Sequence, residues 1–215
     1  MENKITLLQW LAGGLALLAT VFAAWSAFGV GGGFSHEDLP RYGPSPAFRL
    51  VGADAKPYDS ALLKGKVWVA SFVYSTCKNS CPMLGVQMRR LSESIPAADG
   101  FRMVSITVDP ERDTPARLAK YAKELGASDP RWSFLSGGKK ELKALINQGF
   151  KLAAETGGAP DERGEADILH SSKLVLVDAE GVVRGYYDGL LGDSVAALGR
   201  DIQRLLDQAP KRAGP

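Results

Sequence analysis

Lys66-Val67-Trp68-Val69-Ala70-Ser71-Phe72-Val73-Tyr74 runs straight into Ser75-Thr76-Cys77-Lys78-Asn79-Ser80-Cys81-Pro82, so an apolar, partly β-branched stretch stops at a polar turn holding both of the chain's cysteines. A continuous apolar run of this length, led in by Leu63-Lys64-Gly65, reads as a strand buried on both faces. Beyond the turn, Leu84, Met88, Leu91 and Ile95 recur at helical spacing. The cysteines therefore fall where a buried strand gives way to a helix.

The alternation extends in both directions. Upstream, Phe48 to Val51 and the turn around Gly52-Ala53-Asp54 read as a short hairpin. Downstream come a strand over 101–108, a helix over 114–125, a short strand over 132–135 and a helix over 139–148. After a Gly-rich, acidic excursion through 156–167, Lys173-Leu174-Val175-Leu176-Val177-Asp178 is a strand, and Ala179-Glu180-Gly181 turns it into a second strand over 182–187. A closing amphipathic helix covers 195–206. Strands alternating with helices and ending in an antiparallel hairpin predict an α/β fold, a mixed sheet flanked by helices on both faces. Functional groups in such sheets gather at strand ends, and Cys77 follows its strand directly.

The chemistry of the turn rests on three side chains. Positions i and i+4 of a helical turn share a face, so the sulfurs of Cys77 and Cys81 can converge on one metal ion or on each other. Thiolates are soft donors that favour Cu(I), Zn(II) and iron–sulfur clusters, and imidazole suits copper and zinc. With His170 the set is one short of structural zinc and lacks the four cysteines of a cluster, which leaves copper. The polar neighbours Ser75, Thr76, Lys78, Asn79 and Ser80 argue against two inert core cysteines. His36 reads as a solvated residue, and Met83 and Met88, although thioethers, read as core of the following helix.

At 215 residues the chain fits one globular domain with an appendage. Residues 5–30 carry no charge and are long enough to span a bilayer, so they are predicted to be a transmembrane anchor or uncleaved signal, with Trp10 and Trp25 near its ends. Residues 1–4, with Lys4 and the amino terminus, are then cytoplasmic, and the domain faces the periplasmic or extracytoplasmic side. Gly31-Gly32-Gly33 opens a flexible tether over 31–45, the domain proper covers 46–208, and 209–215 is a C-terminal tail. A net charge of +2 without basic runs interleaved with aromatics excludes nucleic acid as a partner class. In an oxidising compartment the cysteine pair closes to a disulfide unless a reductant or a metal protects it.

Three separated segments together resemble the Sco/SenC family, thioredoxin-fold copper proteins of mitochondria and bacteria. They are the strand and Cys-x-x-x-Cys-Pro of Val69 to Pro82, the run Val108-Asp109-Pro110-Glu111-Arg112-Asp113-Thr114-Pro115, and His170-Ser171 before a strand. The resemblance implies a thioredoxin-like domain whose Cys77, Cys81 and His170 bind a copper ion, as Cu(I) or Cu(II). It also implies a metallochaperone anchored in the bacterial inner membrane, which delivers copper to the binuclear copper site of cytochrome c oxidase or reduces that site's cysteines. The expected partners are the copper-bearing oxidase subunit and a further copper chaperone or thiol reductant. The chain departs from the family pattern at Lys78 and Asn79, where Pro and an acidic residue are common, and at Leu169, where Asp is common; the exchanges make the site more positive.

Such a protein is a carrier. The competing class is a thiol–disulfide oxidoreductase with Cys77 as attacking and Cys81 as resolving thiol. Against that class as sole function, three residues separate the cysteines where such enzymes have two, and no proline precedes the strand after His170-Ser171. A peroxidase on the same fold is disfavoured because Ala70 and Tyr74 occupy the positions of its Pro and Thr. The run Asp109 to Pro115 reads as scaffold: Thr114 is an N-cap and Pro115 suits the first helical position.

Overall fold

The computed structural model describes residues 38–77, 80–96, 100–152 and 172–208. The chain divides into Met1–Asp38 and Leu39–Pro215, and every strand and helix among the described residues falls in the second part. The strands are β1 (Gly43–Pro44), β2 (Arg49–Gly52), β3 (Pro57–Asp59), β4 (Val67–Val73), β5 (Phe101–Thr107), β6 (Trp132–Ser136), β7 (Lys173–Val177) and β8 (Val182–Asp188). The helices are α1 (Ser80–Ser94), α2 (Pro115–Glu124), α3 (Lys139–Ala144) and α4 (Gly192–Gln208), with α3 continued by a wider turn over Leu145–Gly149. Elements predicted from residue pattern thus reappear in order. The anchor predicted at 5–30 lies outside the described residues, among which no helix is long and apolar enough to cross a membrane.

The strands form one sheet in the order β1-β8-β7-β4-β5-β6-β2-β3. β4, β5 and β6 run parallel, while β7 and β8 complete one side and β2 and β3 the other as antiparallel hairpins. The seven residues of β4 are all buried because both faces of the sheet are covered. Val67, Val69 and Val73 enter the core beneath α1, α2 and α4, with Leu84, Met88, Leu118 and Leu198. Trp68, Ala70 and Phe72 enter the opposite core, with Leu142, Ile146 and Phe150. The alternation of Cβ directions along a strand splits one apolar run between two cores.

Residues 39–45, expected as tether, are instead fastened to the sheet. The Tyr42 N–H donates to the Val183 carbonyl (2.9 Å) and the Ser45 N–H to the Gly181 carbonyl (2.7 Å). Arg184 on β8 donates to the carbonyls of Pro40 (2.9 Å) and Leu39 (2.7 Å) and pairs with buried Asp178 (2.9 Å). Short-range pattern carries no sign of this, because the residue that holds the segment lies far along the chain.

α1 and α2 meet at Gly85, where an added Cβ would lie 2.5 Å from Leu125 Cδ2 and 3.0 Å from its Cδ1. Gly85→Val is therefore expected to lower stability by about 2 kcal/mol through overpacking, read from the denaturant midpoint. Leu125→Ala in the same chain should recover part of that loss; a neutral Gly85→Val would remove the close approach as a reason for glycine.

Candidate functional site

β4 ends at Val73, where its carbonyl still accepts the Val108 N–H (2.9 Å) and so ties the strand end to the loop after β5. The next residues turn sharply, the Cys77 N–H reaching back to the Tyr74 carbonyl (3.2 Å). At the start of α1 the Cys77 Sγ accepts the backbone N–H of Cys81 (3.3 Å) and lies 3.8 Å from Ser80 Oγ. One sulfur therefore occupies the place of a helix cap, where unpaired amides favour negative charge. Cys77 is partly exposed and Cys81 is fully buried. Burial pushes the Cys81 thiol well above the usual range, opposed by a hydrogen bond with the Tyr74 backbone and reinforced by Cys77 and Asp113.

The run after β5 holds this turn in place. Asp113 is wholly buried, and its carboxylate accepts the Ser75 N–H (3.1 and 3.2 Å) and the Thr107 hydroxyl. From the other side Arg117 Nη2 donates to the Ser75 carbonyl (3.1 Å). Both backbone polar groups of Ser75, two positions before Cys77, are gripped by the segment 113–117. Thr114 caps α2 through the Arg117 N–H (3.3 Å), and Pro115 stands in its first turn. Asp109 pairs with Arg112 (3.2 Å), and exposed Glu111 meets Lys139 (3.0 Å). The scaffold reading of Asp109 to Pro115 agrees with these contacts. The part that sequence reasoning missed is Asp113, whose sequence neighbours gave only a charge cluster.

The other sequence-predicted residues divide. His170 lies outside the described residues, as do Lys78, Asn79, Leu169 and the acidic excursion at 156–167. The chain returns at Ser172 and enters β7 antiparallel to β4, with Ala70 opposite Val175. Continued, that register brings the start of β7 to the end of β4 from which the cysteine turn departs. Among the described residues no three His, Cys, Asp and Glu side chains converge as for a metal ion. Of the two methionines read as core, Met88 is buried, but Met83 is 52 % exposed, since it falls on the outward side of the first turn of α1.

A mixed sheet covered by helices, with a Cys-x-x-x-Cys where its central strand passes into a helix, defines a thioredoxin-like protein with a paired-cysteine site. The chain belongs to the SCO1/SenC family, whose model matches residues 39–207, confirming the resemblance carried by the three motifs. It is 31% identical over 161 residues to the SCO1 protein homolog of Bacillus subtilis, which covers 74% of this chain and 80% of that protein. Among solved structures it is similar to BsSco, described as a member of the Sco family of cytochrome c oxidase assembly proteins with a disulfide switch: TM-score 0.66, 26% identity, 78% of this chain and 96% of that one. It is also similar to Bradyrhizobium japonicum ScoI with copper bound, at TM-score 0.63 and 25% identity over 76% of this chain and 99% of that one.

Proposed function

We propose that this protein is a copper-binding metallochaperone of cytochrome c oxidase assembly, with Cys77, Cys81 and His170 as the ligands of its copper cargo. The observation that carries the reading is the pair of cysteines at the head of α1, one partly exposed and one buried. The donor set fits the cargo: two soft sulfurs on one turn suit Cu(I), and an imidazole extends the set to Cu(II). Further support comes from the copper-bound relative ScoI and from the oxidase-assembly role given for BsSco. Three ligands leave an approach open to an incoming thiolate, so copper can pass to the copper-bearing oxidase subunit by stepwise ligand exchange. Residues 5–30 would anchor the carrier with its domain on the extracytoplasmic face of the membrane.

The asymmetry of the two thiols favours a second reading on the same site, reduction of client disulfides. The Cys77 thiolate would attack a client disulfide and release one client thiol. Cys81, losing its proton, would then attack Cys77, free the second client thiol and leave a Cys77–Cys81 disulfide. Two electrons pass to the client, and a thiol reductant must restore the pair.

Copper titration of the reduced full chain against His170→Ala separates the readings. A carrier gives stoichiometric binding that weakens by more than the roughly 10–100-fold typical of losing an outer-shell partner. Equal copper binding by His170→Ala, together with turnover of a client disulfide, would sink the carrier reading.

A further inference from the structure

α1 and α4 lie side by side over one core. They run parallel, because Gly189, just before α4, stands against Leu84, and Gly199 stands against Leu91 further along. Between their outer sides is an open groove of about 570 Å³. Buried Leu91, Ile95 and Val195 make its floor, and exposed Arg90 and Arg200 line it from opposite sides, one from each helix. No acidic side chain lines it. The acids next to these arginines in sequence are committed elsewhere. Glu93 pairs with Arg89 (3.3 Å), and Asp201 pairs with Arg204 (3.4 Å) and accepts the Tyr187 hydroxyl (2.7 Å). Among the described residues neither Arg90 nor Arg200 has an ion-pair or hydrogen-bond partner.

Gly199 adds an independent observation. It lies in the interior of α4, where glycine is less favourable than alanine. A Cβ at this position would meet only Leu91 Cδ1, at 3.8 Å, an ordinary van der Waals contact. The packing of the domain itself therefore leaves room for alanine, in contrast with Gly85. The bare backbone at 199, beside exposed Ala196, lets a second backbone come close from outside. We infer that the groove between α1 and α4 docks an amphipathic helix of a partner protein, its apolar stripe seated over Leu91, Ile95 and Val195 and its flanking carboxylates paired with Arg90 and Arg200. From Gly192 to Gln203 the lined part of α4 is about 16 Å long, which matches about three turns of an occupant helix. Guanidinium groups grip carboxylates by two parallel hydrogen bonds, and the amides of Gln87 and Gln203 add donors along the same walls. A membrane surface fits less well. It cannot enter a concave groove, and two arginines fall short of the clusters of about four to eight basic residues that hold anionic lipid. No cysteine lines the groove, so the inference stands independently of the copper reading.

The test uses the full chain in neutral detergent and two labelled helical peptides of about 15 residues, each with a leucine stripe at i, i+3, i+4 and i+7. Glutamate flanks the stripe in one peptide and lysine in the other. Binding is read by fluorescence anisotropy, and its place by hydrogen exchange over 87–95 and 192–203. The expected result is that the glutamate peptide binds about 10-fold or more tightly than the lysine peptide and protects both segments. Arg90→Glu combined with Arg200→Glu should reverse the preference while the thermal midpoint and copper binding stay as in the wild type. Gly199→Leu should weaken the glutamate peptide by filling the groove. Equal affinity for the two peptides, or a preference that survives the double charge reversal, overturns the inference. Protection of the same segments by phosphatidylserine nanodiscs, with no preference between peptides, assigns the groove to lipid and overturns it too. A wild-type dimer that dissociates in the double variant, with no peptide bound by either, assigns the groove to a second copy of the chain and likewise overturns it.

Discussion

Asp113→Ala is expected to destabilise the domain by about 3 kcal/mol or more and to loosen the cysteine turn with it. The carboxylate is the acceptor for the Ser75 N–H and for the Thr107 hydroxyl, and both donors are buried. Removing it strands two donors at once, each costing about 1–3 kcal/mol, and leaves a cavity besides. In a domain of this size the thermal midpoint should fall by about 10 °C. Asp113→Asn keeps one acceptor oxygen and should land between the two. Because the same carboxylate fixes the peptide before the dithiol, hydrogen exchange at residues 75–77 should rise further than at β5. A uniform rise, or a midpoint that barely moves, would mean that Asp113 does not hold the turn.

Cys77→Ser and Cys81→Ser are expected to abolish copper binding alike while differing in stability. Each replaces a soft sulfur donor by a hydroxyl that stays protonated at neutral pH, so the cargo site loses a ligand in both. Stability separates them. Serine at 77 can accept the Cys81 N–H as a good helix cap and sits partly in solvent, so its midpoint should change within about 0.5 kcal/mol. Serine at 81 puts a hydroxyl into an apolar core and should cost about 1–3 kcal/mol. The same asymmetry predicts that iodoacetamide alkylates Cys77 in the folded protein long before Cys81, as read by peptide mass spectrometry. Equal labelling in the native state would contradict the burial of Cys81, and stoichiometric copper binding by either serine variant would remove that cysteine from the ligand set.

Much of the architecture was legible in residue order. Six apolar residues among the seven of Val67–Val73 required cover on two faces, and the amphipathic spacing of Leu84, Met88 and Leu91 named one covering helix. Thr114 and Pro115 marked the start of α2 to the residue. These signals are local, since periodicity, capping and turn chemistry act over a few positions. Met83 went wrong because a helix start has fewer neighbours than its middle, so apolar spacing overstates burial there. The start of the domain went wrong for a different reason. Leu39 and Pro40 look like tether until Arg184 is folded beside them.

By itself the sequence determined an α/β chain with its two thiols at a strand-to-helix junction, because secondary structure and cysteine spacing are encoded within a few residues. Three motifs spread over the chain also carried the resemblance that the family match bears out. Only the tertiary structure decided that the two thiols are unequal, one partly exposed and one buried. It alone placed the Asp113 carboxylate on the Ser75 N–H and the Arg117 guanidinium on the Ser75 carbonyl. Those arrangements depend on which helix packs over which strand end, a choice made by the burial of whole faces rather than by the residues next to the cysteines.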